Sequence, residues 1–176
     1  MATKKTSIFT LTERVTITAA ATDTFATIDL GSYVDVGDRQ ALQVHSVDFI
    51  YQGEDPSSDV VANIGNGGEV KVQVTDLNRG QMVFADDRAL VASGTLATDG
   101  QGGIYNTLDL YPDNFGKGSD DGRYVVNDTL YITANSVLVL GTPGSINVTV
   151  RVNASIVSLT AKDFMAIAIQ STAADN

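Results

Sequence analysis

The chain has no cysteine, no tryptophan, a single histidine and only one basic doublet, Lys4-Lys5. Without cysteine there is neither a disulfide framework nor a thiolate metal site. Without a basic cluster, the phosphate attraction that dominates binding to free nucleic acid is missing. No apolar run approaches the ~18 residues of a membrane-spanning helix, so no membrane span is expected. The N-terminus, MATKKTSIFTLTERV, lacks the apolar core and small-residue cleavage site of a signal peptide, which predicts a chain made inside a cell and not exported by the ordinary route.

Catalytic signals are equally sparse. His45 has no second histidine for a zinc site, and no G-x-S-x-G context surrounds any serine. The acid pairs Asp86-Asp87 and Asp120-Asp121 are adjacent in sequence, which aims their carboxylates apart and not across a cleft. The glycine-rich pieces GNGG and DGQGG lack the strand, loop and helix order of a phosphate cradle, and no G-K-[ST] follows them. No enzymatic activity, catalytic residue or bound cofactor is expected. Net charge is −10, with aspartate outnumbering glutamate about six to one, mostly in turn-like contexts such as GDR, TDG and SDDG. That distribution is Asx-turn chemistry between strands. Within the loop DNFGKGSDD, Asp113, Asn114, Asp120 and Asp121 are hard oxygen donors of the kind calcium takes, but the spacing is not that of an EF-hand; an exposed turn is the expected reading.

What is present is alternation. In SINVTVRVNASIVSL (145–159), Ile146, Val148, Val150, Val152, Ala154 and Ile156 fall on one face of a strand and Asn147, Thr149, Arg151, Asn153 and Ser155 on the other. At 3.6 residues per turn no helix sorts these residues into two faces. Burying its five Val and Ile side chains contributes roughly 7–15 kcal/mol as an upper estimate. A one-residue slip would put Asn, Thr and Arg inside, so the register is fixed. Thr160 then stands at a helix N-cap with Asp163 at N3, and Leu159 and Phe164 are placed for a hydrophobic staple. A short helix over 161–169 and a flexible tail, 171–176, are expected.

Taken in order, strands are expected at Ser7–Thr18, Thr24–Leu30, Ala41–Gln52, Glu69–Thr75, Gly103–Tyr111, Arg123–Val126, Thr129–Ala134 and Val137–Leu140. Inside 41–52 the apolar parity switches between Val44 and Val47, which places a β-bulge near His45-Ser46. Asp86–Ser93 carries helix start and stop signals, 53–68 reads as a loop with an added strand, and Met82–Phe84 as a brief pairing segment. Sequons at Asn127, Asn147 and Asn153 fall on or beside strands, where Asn and Thr populate polar faces. The expected fold is all-β: a single antiparallel β-sandwich domain over 1–176, a single jelly roll with a short C-terminal helix and a flexible arm over 1–6, an immunoglobulin-like sandwich being the alternative.

This layout, with the arm MATKKTS, long strands at 7–18 and 41–52, an elaborated middle and the closing strand 145–159 before a terminal helix, resembles the small single jelly-roll capsid proteins of tailless icosahedral viruses. The resemblance implies a virion subunit that assembles with copies of itself, with or without a second capsid protein. Lacking an Arg-rich arm, it is more similar to those of double-stranded DNA viruses, where other components meet the genome. Two other classes are compatible with the residues: a subunit of an extracellular filament or surface layer, and a carbohydrate-binding sandwich module using Tyr105, Tyr111 and Phe115.

Overall fold

A computed structural model describes residues 2–65, 67–99, 103–107, 122–137 and 144–172. In chain order the strands are β1 (Thr3–Lys4), β2 (Phe9–Ile17), β3 (Thr24–Asp29), β4 (Gln40–Gln52), β5 (Glu69–Thr75), β6 (Leu90–Thr98), β7 (Ile104–Thr107), β8 (Arg123–Val125), β9 (Thr129–Ser136) and β10 (Ile146–Ser158). Helix α1 (Val60–Ile64) lies between β4 and β5, and α2 (Ala161–Thr172) follows β10. The chain is therefore mostly β, two antiparallel sheets arranged as a sandwich with a short C-terminal helix.

The pairing is nested. β2 pairs with β10, β3 with β9, β4 with β8 and β5 with β6, all antiparallel, as if one long hairpin had been folded at β5–β6. Successive nested pairs fall in alternate sheets. Two further contacts, β10 with β4 and β9 with β5, join them sideways. One sheet thus runs β2, β10, β4, β8, with β1 beside the far end of β10; the other runs β3, β9, β5, β6, β7.

The closing strand organises the first sheet as its alternation demands. Ile146, Val148, Val150, Val152 and Ala154 are fully buried between the sheets, facing Val70, Val72, Val74, Leu130 and Ile132 in one apolar cluster. Between Asn153 and Ala154 its register with β4 shifts, Asn153 opposing Ser46 and Ala154 opposing Val44, so His45 is the extra residue of a bulge. The parity switch in the sequence has this physical cause. A second, smaller cluster lies beyond the bulge, where Ala41, Val126 and Val157 pack with Leu159 and Phe164. It is closed by α2, whose start is fixed by Thr160: its hydroxyl accepts the Asp163 N–H at 3.2 Å, and its carbonyl accepts the Phe164 N–H at 2.9 Å.

Several local expectations are corrected. The 86–93 helix is replaced by β6, because pairing along all of β5, from Thr75 opposite Leu90 to Glu69 opposite Ala97, outweighs two unsupported helical turns. Gly94 belongs to that strand and not to a helix end: a Cβ there would stand 2.6 Å from Phe49 Cδ2, so glycine lets β6 pass over the ring. The added strand expected within 53–68 is α1, capped by the Asp59 carboxylate accepting the Val61 N–H at 2.9 Å. Met82–Phe84 is not in a strand, and β9 runs unbroken through the turn expected at Ala134-Asn135-Ser136. The strand expected at 137–140 has only Val137 among the described residues, and that residue is a bend. Of the segment expected as an arm, Thr3–Lys4 pairs with Ser158 and Val157, and α2 extends past its expected end to Thr172.

Candidate functional site: an apolar cleft and a clamped loop on the second sheet

The calcium candidates Asp113, Asn114, Asp120 and Asp121 lie outside the described residues, as do Tyr111 and Phe115; Tyr105 falls in β7. Among the described residues, no group of three or more His, Asp or Glu side chains is placed to hold a metal ion. His45 does meet a serine, its Nε2 lying 2.8 Å from Ser155 Oγ. Ser155 is fully buried, so this bond pins the bulge to β10 and offers no exposed nucleophile. Burial, and then the charge of Lys4, holds the His45 imidazole below its ordinary pKa. The sequon asparagines are used internally: Asn127 Nδ2 donates to the Asp76 carbonyl at 2.6 Å, Asn147 Nδ2 to the Gly53 carbonyl at 2.9 Å, and Asn153 Nδ2 to Ser46 Oγ at 2.9 Å.

The features that stand out are on the outer face of the second sheet. There, alternation turns Phe25 and Thr27 of β3 and Tyr131 and Thr133 of β9 away from the core. Phe25 is 54% exposed, whereas Thr133 is only 5% exposed although it points outward. Thr133 lies between Phe25 of the edge strand β3 and Gln73 of β5, and the 76–89 connection between β5 and β6 folds back across this face of the sheet. Its residues Asn78, Arg79 and Gly80 form the lip, and the β3–β9 side chains the floor, of a half-open cleft of about 380 Å³.

That connection is built rigidly for a loop. The outward side chain of Gln73 on β5 grips Val83 with both ends of its amide: Nε2 donates to the Val83 carbonyl at 2.9 Å, and Oε1 accepts the Val83 N–H at 2.8 Å. The side chain thereby mimics one rung of a β-ladder. Arg79 and Asp87 close the loop with an ion pair, Nη2 donating to Oδ1 at 3.1 Å and Nε lying 3.1 Å from Oδ2. Asn78 makes an Asx turn to the Gly80 N–H at 3.0 Å, and Gly80, at φ 65°, supplies the left-handed residue this turn needs. At the base, the Asp76 N–H donates to the Ala89 carbonyl at 2.9 Å.

Asp76 also ties the loop to β8. It is 3% exposed, and its Oδ2 accepts from Arg123 Nη2 at 3.2 Å while Oδ1 has no hydrogen-bond partner; the same Arg123 nitrogen also reaches the Arg88 carbonyl. Burial pushes the Asp76 carboxyl above the usual carboxylate range, with Arg123 pulling it back only in part. These bonds hold the loop while leaving Phe84 86% exposed. Sequence reasoning missed Phe84, Gln73 and Phe25. The available signal was an apolar triplet, Met82-Val83-Phe84, bounded by turn residues on both sides and too short to continue as a strand.

No protein-family model and no curated protein matches this chain.

Proposed function

We propose that this chain is a viral structural protein, a single jelly-roll capsid subunit that assembles with copies of itself into the icosahedral shell of a virion. The observation that carries this reading is the nested pairing of eight strands distributed alternately between two sheets. A long antiparallel ribbon rolled up on itself gives that order, which supports reading the two sheets as the two Greek keys of a jelly roll. Because jelly rolls also serve as lectin and cupin domains, fold alone does not choose among roles. Large apolar side chains held outward support assembly: Phe84 on the loop that crosses the second sheet, and Met165 with Ile169 one turn apart on α2, each of the latter two 58% exposed. The role is structural and not catalytic, with the subunits meeting one another and other virion components meeting the genome.

The test is imaging of the purified chain by negative-stain microscopy and mass photometry across a range of salt and calcium concentrations. Closed isometric particles are expected. Monomers alone under every condition would overturn the proposal, and helical fibres would replace it with the filament reading.

A further inference from the structure

We infer that Phe84 is the knob, and the Phe25–Tyr131–Arg79 cleft the socket, of a direct contact between two copies of this chain. The inference rests on the assembly reading only in taking a second copy as the partner. Phe84 is 86% exposed, so it does not fill the cleft of its own chain, and the Gln73 grip on Val83 together with the Arg79–Asp87 pair keeps the backbone from turning it inward. A large apolar side chain presented from a fixed loop loses little conformational freedom on docking.

The socket matches it in kind. At about 380 Å³ the cleft is at the small end of the ~300–1,000 Å³ range of binding clefts, room for one ring and not for a length of chain. Its wall holds the half-exposed ring of Phe25 and the ring of Tyr131, suited to offset or edge-to-face packing. Arg79, held by Asp87, stands at the lip beside these rings. Knob and lip also belong to one loop on one face, so two copies meeting face to face satisfy each other reciprocally, as a two-fold contact requires.

Area decides how strong such a contact is. Two Phe84 and two Phe25 rings, weighted by their exposure, remove roughly 400–700 Å² from water. A stable isolated dimer needs ~1,200–2,000 Å². The pair is therefore weak in isolation and acts where many copies repeat it, as in a shell, by multivalency. Each copy carries a charge of −10, so the contact strengthens as salt screens the repulsion, the opposite of an ion-paired interface.

The experiment replaces Phe84 with the single-ring photo-crosslinker p-azidophenylalanine in the full chain, mixes light and isotopically heavy copies, irradiates, and maps the products by mass spectrometry. Crosslinks between light and heavy chains into peptides containing Phe25, Asn78 to Gly80 or Tyr131 are expected. In parallel, sedimentation velocity up to the highest soluble concentration compares the natural chain with Phe84→Ser and Phe25→Ser. Self-association is expected to weaken at least ~10-fold in each variant, with unchanged circular dichroism because both rings are on the surface. Crosslinks confined to one chain, crosslinks to another face, or equal association of natural chain and Phe84→Ser would each overturn the inference. A neutral glycan that binds in a Phe25-dependent way while no intermolecular crosslink forms would overturn it in favour of a carbohydrate site. The two readings separate cleanly: particles that form unchanged with Phe84→Ser sink this contact and leave the shell, whereas Phe84-dependent pairing with no particle under any condition does the reverse.

Discussion

Gln73→Leu removes both hydrogen bonds that hold Val83 while preserving most of the side chain's bulk. In the folded chain those bonds are 2.8 and 2.9 Å long and half-buried. Neutral hydrogen bonds contribute ~0.5–1.5 kcal/mol each, so the pair is worth about 1–3 kcal/mol. Water can reach the released Val83 groups once the loop lifts, which places the loss toward the lower end, about 1–2 kcal/mol. That loss is local. The rest of the loop is still held by Arg79–Asp87 and Asp76–Arg123, and Gln73 points away from the core between the sheets. The Val83 amide should therefore exchange with deuterium about 5–30-fold faster than in the natural chain, while amides of β5 and β9 keep their protection. Gln73→Glu supplies an internal control. Its carboxylate still accepts the Val83 N–H but faces the Val83 carbonyl with an acceptor, so exchange should fall between the other two. Val83 exchange within a factor of two across all three chains would refute the clamp, and with it the claim that Phe84 is held outward by structure.

Four further outcomes are expected. Arg123→Ala leaves the Asp76 carboxylate buried without its cation and should cost ~2–4 kcal/mol in urea unfolding at pH 7, less than a fully enclosed pair because Arg123 is partly exposed, whereas Asp76→Asn should cost distinctly less. Because burial raises the Asp76 pKa, the folded state holds that proton more tightly; its contribution is present in acid and lost as pH rises from about 4 through the folded value, so Asp76→Asn should remove a fall in stability over that window. His45 has the lowered value of a partly buried base, so its contribution is present at neutral pH and lost as pH falls below about 6.5; His45→Gln should flatten thermal melts between pH 7 and 5. Thr160→Ala deletes the cap of α2 and should cost about 1 kcal/mol, read as faster amide exchange in the first turn of that helix with the sheets unaffected.

Much of this architecture was legible because the physics that fixes it is local. β10 and β5 are nearly where alternation puts them, since a strand with one buried face tolerates no slip, and the bulge at His45 showed itself as a change of parity. The cap at Thr160 needed only four residues of context. The failures have the opposite character. Leu90–Thr98 alternates poorly, with Ser93, Gly94 and Thr95 in its middle, and is a strand only because β5 lies beside it. The 76–89 loop was illegible for the same reason. Whether Met82, Val83 and Phe84 turn in or out depends on Gln73 ten residues back and on Arg123 reaching Asp76 from 47 residues away, and neither pairing leaves a trace in a sequence window.

The two outer faces of the sandwich solve opposite problems. On the first sheet the exposed polar side chains bond sideways to each other: Thr10 to Asn153 and Thr16 to Asn147, both at 2.7 Å, then Asn153 onward to Ser46 and Asn147 to the Gly53 carbonyl. Such a ladder spans β2, β10 and β4, holds the long strands in register, and leaves those asparagine groups already satisfied. Beyond the bulge that face is covered by α2 over Val157 and Ala41. On the second sheet the same chain crosses the face with a loop, fastens it by an amide clamp and two ion pairs, and leaves a phenyl ring in water on the same loop whose Asn78 to Gly80 form the lip of an apolar cleft. A protein with no partner would gain by letting that ring fold onto the cleft, which would remove apolar surface from water on both sides. Under the proposed assembly, that ring would find its burial against another copy. That difference between the faces makes the second sheet the side on which a neighbour is to be sought.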